Sequence, residues 1–213
     1  MKKTILVLLT MFAITASYSQ TEQGKMFTGG QISFLGNSET QFDSLYKYRY
    51  NSNGIIITPQ FGYFLKDNFA IGANILLQYS NIKRTDEKSN VISNTNKSIK
   101  FGYGIGGFVR YYSEITEKFK FFFNGGIDYQ YSKEKQTQTS NLFNRDYETN
   151  HLTLYFSPGL VYFITPKLGI QSTFGNLYFM HSVEKNKVVT YNNNNYGLNI
   201  NSSSITFGFS YYF

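Results

Sequence analysis

Large apolar residues alternate with small or polar residues over much of this chain. The stretch from Phe69 to Tyr79 shows the pattern clearly, with apolar residues at its odd positions and glycine, asparagine or glutamine at several even ones. A period of two places successive side chains on opposite faces of a β-strand. Beyond residue 19, no apolar run approaches the roughly 18 to 20 residues that a membrane-spanning helix requires. The pattern therefore predicts strands with one apolar and one polar face.

The alternation predicts eight strands. They cover Met26–Leu35 and residues 55–63, 69–80, 101–111, 119–131, 152–164, 168–178 and 205–213. In the seventh strand, Leu168, Ile170, Phe174 and Tyr178 share the predicted apolar face. In the last strand, every second position carries a large residue up to Phe213.

The connections between these strands alternate in length. Three are short and four are long and polar: Leu65–Asn68, Ser113–Lys118 and Thr165–Lys167, against Gly36–Asn53, Lys83–Lys97, Lys133–Asn150 and Val183–Leu198. Short turns at one end and long loops at the other are typical of outer-membrane barrels. The sequence therefore predicts an all-β protein, an eight-stranded antiparallel transmembrane β-barrel. Its short turns and both termini are expected in the periplasm, and its long loops outside the cell.

The first 19 residues have the composition of a secretory signal peptide. Lys2 and Lys3 precede an apolar run that ends at Ile14, and the small residues Ser17 and Ser19 follow it. We therefore expect residues 1–19 to be a signal peptide and residues 20–213 to be the barrel domain. The chain has no cysteine, which excludes a lipid anchor on a cysteine, disulfides and thiolate sites.

A secreted soluble barrel of the lipocalin type also shows alternation. In that arrangement the large residues would fill an interior only just wide enough for side chains, and the nearly uncharged face would meet water. Soluble surfaces carry about 25–35% charged residues, so the membrane barrel is favoured. Aromatic residues also cluster near both strand ends, as interfacial girdles do. Those predicted near the short turns are Tyr63, Phe64, Phe69, Tyr111, Tyr112, Phe119, Tyr162, Tyr211, Tyr212 and Phe213.

The C-terminal alternation, the signal peptide and the loop pattern together resemble the small eight-stranded outer-membrane barrel family, the OmpA/OmpX-like β-barrel domain. The resemblance implies residence in the outer membrane of a Gram-negative bacterium, in contact with its lipid and lipopolysaccharide. It implies that Phe209, Tyr211 and Phe213 form the insertion signal read by the barrel-assembly machinery. We expect no periplasmic peptidoglycan-binding domain, so the tethering role of OmpA does not carry over.

The only two histidines are His151 and His181. Counting outward from the turn Thr165–Lys167 predicts that they lie opposite one another on the lumen-facing side. Such a pair could bind a metal or act as a pH-sensitive latch. With Ser182 and Glu184 nearby, a hydrolase like the eight-stranded lipid A deacylases is an alternative. Neighbours in a strand point to opposite faces, so a hydrogen-bonded rim pair is favoured, with no metal, cofactor or catalytic residue.

Four charged residues share the inward-facing parity of their strands: Lys100, Arg110, Lys120 and Asp128. Charges in so narrow an interior must be paired or hydrogen-bonded, so we expect Asp128 to neutralise a nearby basic side chain. A structural network that plugs the lumen is favoured over a gated pore, because eight strands leave no open channel.

The long loops are rich in asparagine, serine, threonine, glutamine and tyrosine, a composition that suits adaptable contact surfaces. The net charge is +7, and part of it lies in the loop from Lys83 to Lys97, which suits either contact with polyanions or a solvated loop. Nucleic acid is disfavoured as a partner of an exported barrel. The sequence thus favours a non-enzymatic structural or surface-interaction protein that binds an extracellular ligand or host surface. Alternatives are a narrow, porin-like transport or lipid-binding barrel and a lipid A-modifying enzyme.

Overall fold

The computed structural model describes residues 20–43, 46–88, 91–138, 145–186, 189–200 and 205–213. The predicted signal peptide, residues 1–19, lies outside the described residues. The described residues form ten strands: β1 Met26–Asp43, β2 Tyr46–Lys66, β3 Phe69–Lys88, β4 Val91–Thr116, β5 Phe119–Gln138, β6 Arg145–Thr165, β7 Leu168–Phe174, β8 Asn176–Lys185, β9 Thr190–Asn199 and β10 Ile205–Tyr212. The described part of the chain contains no helix long and apolar enough to cross a membrane.

Eight of these strands close an antiparallel ring in the order β1-β2-β3-β4-β5-β6-β7-β10, and β10 pairs again with β1. The predicted all-β, eight-stranded antiparallel barrel is confirmed. The hairpin of β8 and β9 continues the wall beyond the ring, since β8 also pairs with β6. In the described residues, β1 pairs with β10 only from Phe27 to Ile32, so the closed ring occupies one half of the structure.

The two ends of the barrel differ in their connections. Two-residue turns at Asp67-Asn68, Glu117-Lys118 and Pro166-Lys167 define what we call the short-turn end. At the opposite, hairpin end, most of the residues predicted to be loops are paired strand. The first predicted loop, for example, is largely absent, because β1 runs to Asp43 and pairs there with Tyr46. These segments are predicted as loops because their composition is polar, although most of their residues form strands.

A bulge at Gly175 changes the predicted register of the seventh strand. Thr173 lies opposite Gly159, but Leu177 lies opposite Phe156, so one extra residue has entered the β7–β8 side. Gly175 adopts a φ of 85°, which residues with side chains rarely adopt. Beyond the bulge the side chains swap faces. The prediction that Tyr178 shares the face of Leu168 is therefore wrong, and Leu177 and Phe179 are exposed instead.

The inner face carries mostly glycine and polar residues in the hairpin half of the ring, as expected, but it is aromatic near the short turns. Nine apolar residues form a buried cluster there, which we call the plug: Phe27, Phe64, Ala70, Phe108, Tyr112, Phe122, Val161, Phe163 and Tyr212. Phe64, Tyr112 and Tyr212 were predicted to belong to the outer girdle, and this is wrong because their side chains point inward. Two aromatic residues adjacent in sequence, such as Tyr111 and Tyr112, indicate that one of them points inward, because neighbours in a strand face opposite sides.

Three rings of the plug lie over glycines of neighbouring strands. An added Cβ would overlap the ring of Phe27 at Gly62, of Phe108 at Gly72 and of Phe122 at Gly159. At Gly159 the added carbon would also lie 2.7 Å from the backbone oxygen of Ser172, which cannot move without disturbing the sheet. The missing side chains thus provide the space into which the aromatic rings pack.

We predict that Gly159→Ala destabilises the barrel by about 1–3 kcal/mol, because the ring of Phe122 must be displaced. The measurement is the urea midpoint of unfolding in detergent micelles. Gly125→Ala is the matched control, since its added carbon would meet nothing closer than 3.8 Å. Equal midpoints for the two variants would contradict the packing of the plug described above.

Candidate functional site

Arg110 lies at the centre of the barrel interior and is fully buried. Its Nε donates to Asn124 Oδ1 at 2.6 Å and its Nη2 to Gln60 Oε1 at 3.0 Å. Its Nη1 donates to Gln171 Oε1 at 3.1 Å and to the Tyr112 hydroxyl at 3.2 Å. These partners come from β2, β4, β5 and β7, so one guanidinium ties four strands together across the lumen.

Aromatic rings of the plug surround the same guanidinium. The Arg110 Cζ lies 4.4 Å from the ring centre of Phe122, 5.1 Å from that of Phe27 and 5.3 Å from that of Phe108. Cation–π contacts of this kind are strongest where water is excluded. Amide oxygens and ring faces thus solvate the charge of Arg110 in place of a carboxylate.

The residues before β1 close the short-turn end. Thr21 is fully buried, and Lys120 Nζ donates to its hydroxyl at 2.9 Å and to Asn68 Oδ1 at 3.4 Å. The backbone N–H of Gln23 donates to Asp67 Oδ1 at 2.8 Å. This segment therefore crosses the base of the barrel beneath the plug.

The expectation that Asp128 neutralises a nearby basic side chain is wrong. Asp128 Oδ1 accepts a hydrogen bond from Asn74 Nδ2 at 3.2 Å, and none of the ion pairs between described side chains includes it. The register explains the difference. Arg110 lies opposite Asn124, which is four residues from Asp128 along β5, or about 13 Å. Lys100 lies in the opposite direction, level with Glu134.

Asp128 borders a polar cavity of about 220 Å³ directly above Arg110 and the plug. We call this cavity the lumen chamber. Its walls are formed by Gln31, Thr58, Gln60, Asn74, Leu76, Phe108, Asn124, Asp128, Thr153, Tyr155, Ser157, Thr173 and Asn176. In the next layer toward the hairpin end, Gln130 Nε2 donates to Gln78 Oε1 at 2.8 Å. The chamber is closed below by the plug.

The two histidines are not opposite one another. Because of the bulge at Gly175, His151 pairs with Ser182 and His181 pairs with Leu152. His151 keeps the inward parity, whereas His181 lies on the outward parity and its Nδ1 contacts Asn194 Oδ1 at 2.8 Å. The predicted lumen-facing pair is therefore wrong. No group of three or more metal-binding side chains occurs among the described residues.

At the hairpin end, β2 carries a row of tyrosine rings, Tyr46, Tyr48 and Tyr50, and cations of β3 lie over two of them. We call this row the tyrosine ladder. The rings of Tyr46 and Tyr48 stack with centres 6.1 Å apart and planes 13° from parallel. Lys88 Nζ lies 5.5 Å from the ring centre of Tyr46, and Arg84 Cζ lies 5.3 Å from that of Tyr50. Tyr46 and Tyr48 are exposed, and the ladder lies on paired strands rather than on a loop.

Ion pairs brace the sheet at the hairpin end. Arg49 Nη2 lies 3.0 Å from Glu87 Oε1 beside the tyrosine ladder. On the neighbouring β5–β6 hairpin, Lys133 Nζ lies 3.3 Å from Glu148 Oε1. The hydrogen bond and the negative charge of Glu148 raise the pKa of Lys133. Both pairs join adjacent strands and hold their side chains in place.

The predicted insertion signal lies on the outer face of β10 and just after it. Phe209, Tyr211 and Phe213 are all exposed, and the rings of Tyr211 and Phe213 stack with centres 6.0 Å apart. Phe213 exchanges two backbone hydrogen bonds with Met26, at 2.8 and 2.9 Å. Their recognition by assembly machinery stays a prediction.

No protein-family model matches the chain, and no curated protein matches it in sequence. Its structure is similar to the outer membrane protein OprG from Pseudomonas aeruginosa, with 12% identity and a TM-score of 0.47 over 92% of this chain and 99% of that one. It is also similar to a major outer membrane protein from Thermus thermophilus, with 9% identity and a TM-score of 0.45 over 90% and 100%. A further similarity is to Ail, the attachment invasion locus protein of Yersinia pestis, with 14% identity and a TM-score of 0.36 over 90% and 99%.

We predict that Arg110→Lys lowers the free energy of unfolding by roughly 2–4 kcal/mol, because an ammonium cannot reproduce the planar fork of hydrogen bonds. The measurement is again the urea midpoint in micelles. The control is Arg84→Lys, an exposed arginine beside Tyr50 at the hairpin end, which should leave the midpoint unchanged. A midpoint for Arg110→Lys equal to that of the control would show that the lumen does not depend on the guanidinium.

Proposed function

We propose that this protein is a barrel of the Gram-negative outer membrane that presents the tyrosine ladder outside the cell as a contact surface for an extracellular ligand or host surface. The short-turn end and both termini then lie in the periplasm. Outer-membrane lipid and lipopolysaccharide surround the barrel wall. The barrel-assembly machinery inserts the chain after the signal peptide is removed.

The outer wall of the ring supports the membrane location. On β4 the outward residues from Phe101 to Tyr111 are apolar, aromatic or glycine, and the large ones are about half exposed. On the described strands of the ring, no outward position level with Tyr103 to Val109 carries a charged side chain, and Lys133 lies opposite Phe101 at the hairpin edge of the band. Ten residues at about 3.3 Å each, tilted by about 40°, give a band roughly 25 Å tall, which fits the hydrocarbon layer.

The main support for a contact surface outside the membrane is the length of the strands. Strands β1 to β6 contain 18 to 26 residues, whereas a tilted strand needs only about 9 to 11 to cross a bilayer. The surplus forms paired hairpins that extend beyond the band. Because backbone pairing already orders them, the tyrosines of the ladder lose little conformational freedom when a partner binds.

The plug argues against transport as the main function. Arg110 and the rings around it fill the lumen, and the segment containing Thr21 lies beneath them. A hydrolase centred on Ser182 is disfavoured too, because His181 faces the other side of the strand. His151 lies opposite Ser182, but the Ser182 hydroxyl donates to the backbone oxygen of Asn193. We therefore propose a non-enzymatic role.

The test compares the adherence of bacteria expressing the protein to cultured epithelial monolayers. We expect the wild type to adhere above vector-only cells and the double variant Tyr46→Ser/Tyr48→Ser to fall to the vector level. Tyr196→Ser is the control, because Tyr196 is 80% exposed on β9 but lies outside the ladder.

Surface display is checked with single cysteines, which the cysteine-free chain allows. An impermeant maleimide should label Asn193→Cys on intact cells and Lys167→Cys only after lysis. Adherence retained by the double tyrosine variant would overturn the ladder as the contact surface. Labelling of Lys167→Cys on intact cells would overturn the orientation.

A further inference from the structure

The lumen chamber contains buried polar atoms that no protein group satisfies. Gln31 Nε2, Gln60 Nε2 and Asn74 Oδ1 have no hydrogen-bond partner among the described residues. Gln60 and Asn74 are only 8% and 7% exposed, and all three residues line the chamber. An unsatisfied buried polar group costs about 1–3 kcal/mol, so the chamber favours an occupant with both donors and acceptors.

The same chamber holds a carboxylate without a cation. Asp128 receives one amide hydrogen bond, from Asn74, and has no ion pair with a described side chain. Gly106 lies opposite Asp128, and a Cβ there would overlap the carboxylate and approach Asn74 Oδ1. The glycine thus leaves room for two oxygen acceptors to converge on one side of the chamber.

The complementary donors lie on the neighbouring strands β1 and β2, where Gln60 is directly opposite Asn74. The free amide N–H groups of Gln31 and Gln60 require an oxygen acceptor, and Leu76 and Phe108 provide apolar contact. A bare metal ion would satisfy the oxygens but leave these donors unpaired. A volume of about 220 Å³ exceeds the roughly 30 Å³ share of one water and accommodates several heavy atoms.

We propose that the lumen chamber binds a short primary amine that carries an oxygen acceptor at its other end. The ammonium group donates to Asp128 and Asn74 Oδ1. The oxygen accepts from the amides of Gln31 and Gln60, and the methylene groups contact Leu76 and Phe108. Because the plug closes the chamber below, the molecule enters from the hairpin end and is retained rather than passed through. This site is separate from the proposed contact surface.

The experiment titrates 3-aminopropan-1-ol into the refolded, full barrel in detergent micelles by isothermal titration calorimetry. We expect saturable binding to the wild type and no binding of 1-propanol, which lacks the ammonium group. Asp128→Asn preserves the shape and should weaken binding at least about tenfold, because a hydrogen bond to a charged group is lost. Asp146→Asn removes a carboxylate at the hairpin end, 3.9 Å from Lys133, and should bind as the wild type does.

A second variant tests the other end of the ligand. Gln31→Leu should weaken 3-aminopropan-1-ol but leave propylamine unchanged, since propylamine has no oxygen acceptor. Heat-dependent mobility on SDS gels verifies that each variant is folded. Absence of saturable binding to the folded wild type would overturn the proposal, as would equal affinity in Asp128→Asn. Potassium chloride that displaces the amine at equal concentration would also overturn it, by indicating a simple cation site.

Discussion

The burial of Arg110 is the constraint on which the rest of the barrel depends. A guanidinium that is fully buried must have its hydrogen-bond donors and its charge satisfied within the protein. Four strands supply the amide and hydroxyl oxygens that do so, and the rings of Phe27, Phe108 and Phe122 enclose them. These contacts determine which face of each participating strand points into the lumen. The strands then display their opposite faces, which are apolar, on the outside.

The interior consequently divides into two layers with different properties. Below, aromatic rings and glycines interlock and exclude water, so this half behaves as a packed core. Above, the walls carry amides, hydroxyls and Asp128 around a cavity that the plug closes from beneath. This division of the interior supports the proposed role in binding rather than in conduction. The hairpins beyond the ring form a second surface, on which ion pairs join adjacent strands. The residues of this surface do not line the lumen.

The eight strands of the ring and most of their outward faces could be predicted, because one apolar and one polar face give a strand an alternation with period two. Parity also placed Arg110 and Asp128 inside, but it gives only the face and not the height, so their partners could not be inferred. The bulge was hidden because Gly175 and Gly62 look alike in sequence, and only the former adopts a positive φ. The hairpins were mistaken for loops because their alternation pairs tyrosine with polar residues and lacks an apolar face. The segment before β1, which contains Thr21 and Gln23, shows no alternation in the sequence, so its position across the base of the barrel could not be predicted.

The central claim is that the apolar outer face of the ring meets lipid. The most direct measurement is a spin-label scan along β4 from Phe101 to Tyr111 in lipid vesicles, with collision rates for oxygen and for a water-soluble nickel chelate. We expect labels at the odd positions, which face outward, to collide with oxygen and not with nickel. Nickel collisions at Ile105 or Val109 would place this face in water and contradict the account.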